Sequence, residues 1–288
     1  MAASLFCESK WYGGTDTPEY MNAFSSLLLC AAGLAGFCTA DVVLHPPFTP
    51  LCYGLIFTMG VGSFMHHWHS RQSAFWQRVD FYPMMWLTVL SCSILFMDVV
   101  RFVASRRARQ LLTAVVMVFN CGYVMAGVST DVSETQDVLF GTAWAFCYVW
   151  LALAWAVSAR GGVAAAAAER AVAHDRASIQ WTPAMKRDFR RAAALAFFPA
   201  VVGSAAWLLT EGSCTPANAA RMGWVHSVVW HAGVAYSCWH LMQCNIMLTA
   251  DWQRAKVDGL AWRGPCLVCQ LSHGEEEEAV TTPHASSC

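Results

Sequence analysis

Long runs of apolar residues alternate with short polar links along most of the chain. Seven runs are close to the roughly 20 residues that an α-helix needs to cross about 30 Å of hydrocarbon. They cover Asn22–Val43, Leu51–Trp68, Phe81–Phe102, Leu111–Val128, Val138–Ser158, Ala192–Thr210 and Trp224–Leu248. Pro46 and Pro47 separate the first two runs, because consecutive prolines cannot continue a helix. The pattern predicts an all-α protein, a bundle of seven transmembrane helices.

The segments that flank this bundle differ from it in composition. The N-terminus has no long apolar run before its first charged residues, so we expect no cleaved signal peptide. We therefore assign residues 1–21 to an N-terminal segment and residues 22–250 to one helical domain. Residues 251–288 contain a run of four glutamates, Glu275–Glu278, and are expected to form a disordered tail.

The basic residues are distributed unequally between alternate sides of the predicted bundle. Of the 18 lysines and arginines, 14 lie in the third-to-fourth link, the fifth-to-sixth link and the tail. The other four lie on the opposite side. Since cytoplasmic loops carry the excess of Lys and Arg, the N-terminus is expected to be lumenal or extracellular and the C-terminus cytosolic.

The overall composition agrees with a membrane protein and excludes some other classes. Of the 288 residues, 57% are hydrophobic and 13% are charged. Soluble domains carry about 25% charged residues. The net charge of −1 excludes a nucleic-acid binder that depends on bulk electrostatics. The composition makes no prediction about oligomeric state.

Polar residues at membrane depth are costly and are therefore candidates for function. Three groups of them lie at helix ends. The second predicted helix ends in the segment Ser63–His69, the third begins beside Asp80, and the seventh begins with a segment that contains His226 and His231. With the N-terminus outside, all three ends lie in the outer leaflet. The sequence therefore predicts that these side chains converge.

Imidazoles from different helices are typical of a catalytic Zn²⁺ site with one open position. Zinc held by three histidines can lower the pKa of a bound water to about 7. Asp80 is placed to take its proton, and the Ser63 hydroxyl to donate to a developing oxyanion. Ser63 and His67 are four residues apart, so they share one helix face. The alternative is that any one of these histidines is a packed or interfacial residue.

At these positions the sequence resembles the alkaline ceramidase family, within a wider superfamily of seven-helix membrane hydrolases that includes the adiponectin receptors. The first block is Cys7-Glu8 followed by Glu19–Ser26, which has the family's eleven-residue step between two glutamates. The second is Gly60–Ser63 with His67, followed by Asp80–Met84. The third, His226–His231, resembles the family's His-x-x-Trp-His. The blocks occur in the family's order and cover about a fifth of the chain.

The resemblance implies an integral-membrane amidase that cleaves the N-acyl bond of ceramides to a sphingoid base and a fatty acid. In that family's terms, His67, His226 and His231 bind Zn²⁺, Asp80 is the general base and Ser63 assists the oxyanion. Ceramide or a related N-acyl lipid is the expected partner, and it can enter laterally from the bilayer. An endoplasmic reticulum or Golgi membrane is favoured over the plasma membrane.

Two departures from the family pattern lead to further expectations. His226 and His231 are five residues apart rather than four. In a regular α-helix that step is about 500°, which points the rings some 140° apart. A π-bulge would return them to one face; otherwise His66 or His69 replaces one of them as a ligand.

The second departure concerns the family's lumenal Ca²⁺ site, which has oxygen ligands in the N-terminal segment. Glu8 and Glu19 match that site, but Leu5 and Lys10 occupy positions where oxygen ligands are expected. We therefore expect at most a poor calcium site, since Ca²⁺ takes six to eight oxygen ligands.

Cys7 and Cys214 both fall on the predicted outer, oxidising side, and a disulfide between them agrees with the resemblance. Two other functions stay open. One is a non-catalytic relative, such as a receptor or a scaffold or fusion protein with a structural metal, which the displaced His231 favours. The other is a transporter with a His and Asp proton relay, although such proteins usually have internal repeats that this chain lacks.

Overall fold

A computed structural model gives the architecture of the protein. It describes residues 7–8, 18–40, 48–69, 73–101, 182–249, 255–263 and 266–273, with scattered positions between 107 and 152. The helices are α1 (Tyr20–Thr39), α2 (Phe48–Trp68), α3 (Ala74–Arg101), α4 (Pro183–Ser213), α5 (Ala219–Trp224) and α6 (Trp230–Thr249). A π-helix, Val225–Val229, joins α5 to α6. Two strands follow, β1 (Ala255–Arg263) and β2 (Cys266–His273).

Five of the seven predicted helices are therefore observed in the described residues. The other two, Leu111–Val128 and Val138–Ser158, lie almost entirely outside them. Three observed helices, α1, α2 and α4, are long and apolar enough to cross a membrane. Apolar side chains also face outward on two of them: Leu28, Phe37, Phe198, Leu208 and Leu209 are 44% to 71% exposed. This is the pattern of a membrane protein, in which lipid covers the apolar surface.

Local sequence explains where α4 begins. The Thr182 side chain accepts a hydrogen bond of 3.2 Å from the backbone N–H of Met185, and Pro183 occupies the first helical position. Proline suits that position because its missing N–H would have had no helical acceptor. Helix α4 starts at Pro183, nine residues before the apolar run Ala192–Thr210 that was predicted for it. The apolar pattern could not mark this start, because the polar cap lies outside the run.

Glycines allow the first three helices to pack with little space between their backbones. A Cβ added at Gly33 of α1 would lie 2.4 Å from the backbone N of Phe57 on α2. A Cβ at Gly62 of α2 would lie 2.5 Å from the backbone N of Asp80 on α3. Small residues commonly permit such close approach between membrane helices. The contact at Gly62 also places its neighbour Ser63 beside Asp80.

Helix α6 lies at the centre of the described bundle, and its second half is buried almost all round. One apolar cluster joins it to α4 and the strands, and a second joins it to α1, α2 and α3. Helices that are covered on every side cannot be recognised by one apolar face. The helix that carries His231 is thus held by neighbours on all sides.

The expectation of a disordered tail is wrong for Ala255–Arg263 and Cys266–His273, which pair as two antiparallel strands. The rest of the predicted tail lies outside the described residues. The side chains alternate along β2, with Leu267 and Cys269 buried. The backbone N–H of Leu267 donates to His240 Nε2 at 3.3 Å, and that of Cys269 donates to Gln243 Oε1 at 2.7 Å. Side chains of α6 therefore replace a neighbouring strand at this edge. The other predicted domain boundaries stay predictions.

Candidate active site

Buried polar side chains from four helices meet where α1 and α3 begin and α2 ends. In an apolar bundle such a group needs internal partners, because an unpaired buried polar atom costs free energy. The group consists of Glu19, Asn22, Ser25, Ser26, Ser63, His67, Asp80 and His231. All of them except Ser25 are at most 7% exposed. Ser63, His67, Asp80 and His231 are the described members of the predicted site, and the structure brings them together.

His67 is held by a carboxylate from the neighbouring helix. Its Nδ1 lies 2.5 Å from Glu19 Oε2, and Asn22 Nδ2 donates to the same oxygen at 3.3 Å. The backbone N–H of Glu19 also donates to the carbonyl oxygen of His67 at 3.0 Å. Because a carboxylate accepts, we assign the ring proton to Nδ1 and the lone pair to Nε2. A carboxylate that orients a histidine in this way is common around metal ligands.

His231 lies next to His67, with 5.9 Å between the ring centroids. Its Nδ1 is 2.7 Å from Ser25 Oγ, and its Nε2 is 3.4 Å from Ser26 Oγ. Both serines belong to α1, almost two turns beyond Glu19. The two histidines thus reach one place from α2 and α6, and each has its Nδ1 at a side chain of α1.

Ser63 connects the histidines to the acid of α3. Ser26 Oγ lies 3.0 Å from Ser63 Oγ, and the Ser63 side chain is hydrogen-bonded to Asp80. A chain of close polar contacts therefore runs from His231 through the two serines to Asp80. A hydroxyl donor and a carboxylate side by side are the groups required for polarising a carbonyl and moving a proton.

The π-helix lies where the five-residue step between His226 and His231 calls for one. It contains His226 and ends two residues before His231. The wider turn compensates for the extra residue, because backbone hydrogen bonds there run from i to i+5. Of the two arrangements that the sequence left open, the structure has the π-helix. The side chain of His226 lies outside the described residues, so its part in the site stays a prediction.

Comparison with known proteins identifies the family. The family model described as Ceramidase matches residues 2–268, which is most of the chain. The chain belongs to the ceramidase family. The comparisons with curated proteins and with solved structures found no match. The family resemblance read from the three sequence blocks is confirmed.

The donor atoms of the described residues bear on whether the site fits a zinc ion. Among the described side chains, no three His, Cys, Asp or Glu are grouped to hold a metal. Two imidazoles whose Nδ1 atoms are engaged by α1 are nevertheless the right donors, since each presents Nε2 as the coordinating atom. The third predicted ligand is His226. Of the alternatives, His66 is buried with its ring 5.3 Å from that of His67, whereas His69 is exposed just beyond α2.

Glu8 and Glu19 have protein partners that bear on the calcium prediction. The backbone N–H groups of Met21 and Asn22 donate to the two Glu8 oxygens at 2.6 Å and 2.9 Å, so Glu8 caps the start of α1. Burial raises the pKa of Glu8 to about 7, against the lowering effect of those two hydrogen bonds. With Glu19 engaged by His67, these two residues do not by themselves fit a cation that takes six to eight oxygens. Calcium binding stays a prediction.

A disulfide joins Cys7 to Cys214, as expected. The backbone N–H of Cys7 also donates to Glu211 at the end of α4, at 3.0 Å. Together these contacts hold the segment that carries Glu8 against the end of α4. The segment that caps α1 is therefore anchored to the end of α4 by two contacts.

Sequence reasoning missed the roles of Ser25 and Ser26 and assigned Glu19 to calcium rather than to His67. A signal for all three was present. Asn22 is three residues beyond Glu19, and Ser25 and Ser26 are three and four residues beyond Asn22, so these side chains form a polar stripe along one side of the helix. A polar stripe on an otherwise apolar helix indicates that a polar partner faces it.

Proposed function

We propose that this ceramidase is a zinc-dependent integral-membrane amidase, which hydrolyses the N-acyl bond of ceramides to a sphingoid base and a fatty acid. Family membership supports ceramide hydrolysis in general. The observation that carries the finer proposal is the position of the Ser63–Asp80 pair beside two oriented histidines.

In this proposal His67, His226 and His231 hold the metal. Bound Zn²⁺ supplies Lewis acidity, which polarises a carbonyl and makes water more acidic. Asp80 takes a proton from the attacking water and returns it to the amide nitrogen as the carbon–nitrogen bond breaks. Ser63 donates a hydrogen bond to the carbonyl oxygen as negative charge develops on it. The oxygen of water ends in the fatty acid, and its proton ends on the released amine.

The surroundings of the site suit a lipid substrate. Tyr20, Phe24, Phe64 and Trp68 form a cluster on α1 and α2, with ring centroids 5.6 to 6.1 Å apart. Phe24 is 55% exposed, and Tyr20 and Trp68 are each 38% exposed. Aromatic side chains of this kind are enriched at membrane–water interfaces. We place the site at that level, within seven transmembrane helices, with the N-terminus lumenal and the C-terminus cytosolic in an endoplasmic reticulum or Golgi membrane.

The non-catalytic alternative was favoured by the five-residue step between the two histidines. The π-helix removes that reason, since it accommodates the step. No feature of the described residues favours a transporter over a hydrolase. We therefore retain the amidase as the single proposal.

The test combines metal content with amide cleavage, using purified protein in lipid nanodiscs and a ceramide labelled in its acyl chain. We expect His67→Ala to lose both bound zinc and fatty-acid release. Asp80→Asn is expected to keep the zinc and lose about 10²- to 10⁴-fold in hydrolysis, the usual contribution of a general base. His69→Ala, at an exposed position, is the control that keeps both. If His67→Ala leaves both readouts unchanged, the proposal is wrong.

A further inference from the structure

Ser25 lies on the buried side of α1 at the point where α6 approaches it. Its Oγ is near three polar atoms: the carbonyl oxygens of Met21 at 2.6 Å and Asn22 at 3.1 Å, and Nδ1 of His231 at 2.7 Å. The two carbonyl oxygens belong to the preceding turn of the same helix. The His231 nitrogen comes from a residue 206 positions along the chain.

The number of available protons determines which atom donates in the hydrogen bond between Ser25 Oγ and His231 Nδ1. A serine hydroxyl has one proton, and a carbonyl oxygen can only accept. A separation of 2.6 Å between Oγ and the Met21 oxygen is that of a hydrogen bond, so the hydroxyl proton lies there. The 2.7 Å contact then needs its proton from the imidazole. His231 Nδ1 is therefore the donor, and Ser25 Oγ accepts.

We propose that Ser25 is a positioning residue that holds His231 in its Nδ1–H tautomer and so presents the Nε2 lone pair to the site. This inference rests on the proposed function, because the Nδ1–H tautomer matters only if His231 Nε2 binds a metal ion. Ser25 acts through His231 and needs no contact with the substrate. Glu19 stands in the same relation to His67, but as a charged acceptor.

The neighbouring serine provides a matched comparison. Ser26 Oγ is fully buried and lies 3.4 Å from Nε2 of the same ring. It thus approaches the opposite nitrogen from the adjacent position on the same helix. Removing its hydroxyl leaves the acceptor at Nδ1 in place, whereas removing that of Ser25 takes it away.

The experiment reads the tautomer directly by ¹⁵N NMR of histidine-labelled, metal-free protein in nanodiscs. It is run at about pH 8, where an unperturbed imidazole is neutral. The His231 signals are assigned by their loss in His231→Gln. We expect Nδ1–H in the wild type and in Ser26→Ala, and a mixture of both tautomers in Ser25→Ala. Ser25→Thr, which keeps a hydroxyl, is expected to restore Nδ1–H.

Zinc affinity, measured by competition with a chelator, is the second readout. Ser25→Ala is expected to weaken it about 10- to 100-fold, as is usual when a residue that orients a metal ligand is removed. Ser25→Thr is expected to recover most of that loss. A wild-type His231 with its proton on Nε2, or a Ser25→Ala protein that keeps Nδ1–H, overturns the inference. If the wild type binds no zinc but Ser25→Ala still changes the tautomer, the proposed function fails and the role of Ser25 stands.

Discussion

Deleting Val228 from the π-helix tests whether the wide turn exists to align two histidines. In a regular α-helix a five-residue step turns about 500°, which leaves the ends of the step about 140° apart around the axis. A four-residue step turns about 400° and leaves them only about 40° apart. The deletion shortens the step between His226 and His231 to four residues. A regular α-helix can then place both histidines on the same face.

Close packing on both sides of the π-helix is expected to confine the effect of the deletion to the wide turn. A Cβ at Gly223, before the turn, would be 3.3 Å from the backbone of Glu8, and one at Gly233, after it, would be 2.5 Å from the carbonyl oxygen of Pro199. Both helix segments are thus held in place. If the extra residue alone widens the turn, its removal regularises the helix and keeps these contacts.

We expect the Val228 deletion to fold and to bind zinc within about threefold of wild type. Its midpoint of thermal unfolding should stay within about 4 °C, equivalent to roughly 1 kcal/mol for a protein of this size. Zinc affinity by chelator competition and thermal scans in nanodiscs give the two readouts. Deletion of Val234, in the regular part of α6, is the control. It rotates the residues beyond it by about 100° and should prevent folding.

The reasoning is refuted by one clear result. A Val228 deletion that folds like the wild type but binds zinc as poorly as His231→Ala would show that the wide turn has another purpose. Substitution by alanine, Val228→Ala, separates the length of the turn from the loss of one side chain. It keeps the five-residue step and should keep both zinc and the π-helix.

Three further predictions follow from the contacts around α1. Glu19→Gln removes the charged acceptor at His67 and should weaken zinc binding about 10- to 100-fold in the same competition assay; unchanged affinity would contradict that role. Since the folded-state pKa of Glu8, about 7, lies above its ordinary 4.5, folding favours the protonated carboxyl. The thermal stability of the wild type should therefore fall relative to Glu8→Gln as the pH rises from about 4.5 to 7, and parallel curves would refute this. Replacing Cys7 and Cys214 by serine should lower the free energy of unfolding by about 2–5 kcal/mol in denaturant titrations, whereas an unchanged midpoint would argue against a stabilising disulfide.

Much of the helical framework could be predicted because each element is determined by local pattern. Apolar runs of about 20 residues become helices, since a backbone in lipid must satisfy its own hydrogen bonds. A π-helix was one of the two arrangements that the five-residue step left open, because a regular helix cannot place both ends of that step on one face. The family motifs located Ser63, His67, Asp80 and His231, and the described structure brings these four together.

The β-hairpin shows where local pattern is insufficient. Its strands lie between charged and glycine-containing stretches, a composition that predicts disorder. A two-stranded hairpin is also only marginally stable by itself in water. It is held because Trp239 Nε1 donates to the carbonyl oxygen of Leu267 at 2.9 Å, while His240 and Gln243 accept from the same strand. These partners come from α6, and no short window of sequence contains both sides.

The sequence was sufficient to predict the membrane class, the main helices and the residue types of the site, and it left the wide turn before His231 as one of two alternatives. Which partner each of these residues has depends on the packed tertiary structure. Glu19 meets His67 across 48 residues, and Ser25 meets His231 across 206. Helical periodicity places Glu19, Asn22 and Ser25 at successive three-residue steps along α1, but it cannot show what faces them. That depends on how closely the glycines let the helices approach and on how they rotate against one another, which is a property of the packed bundle.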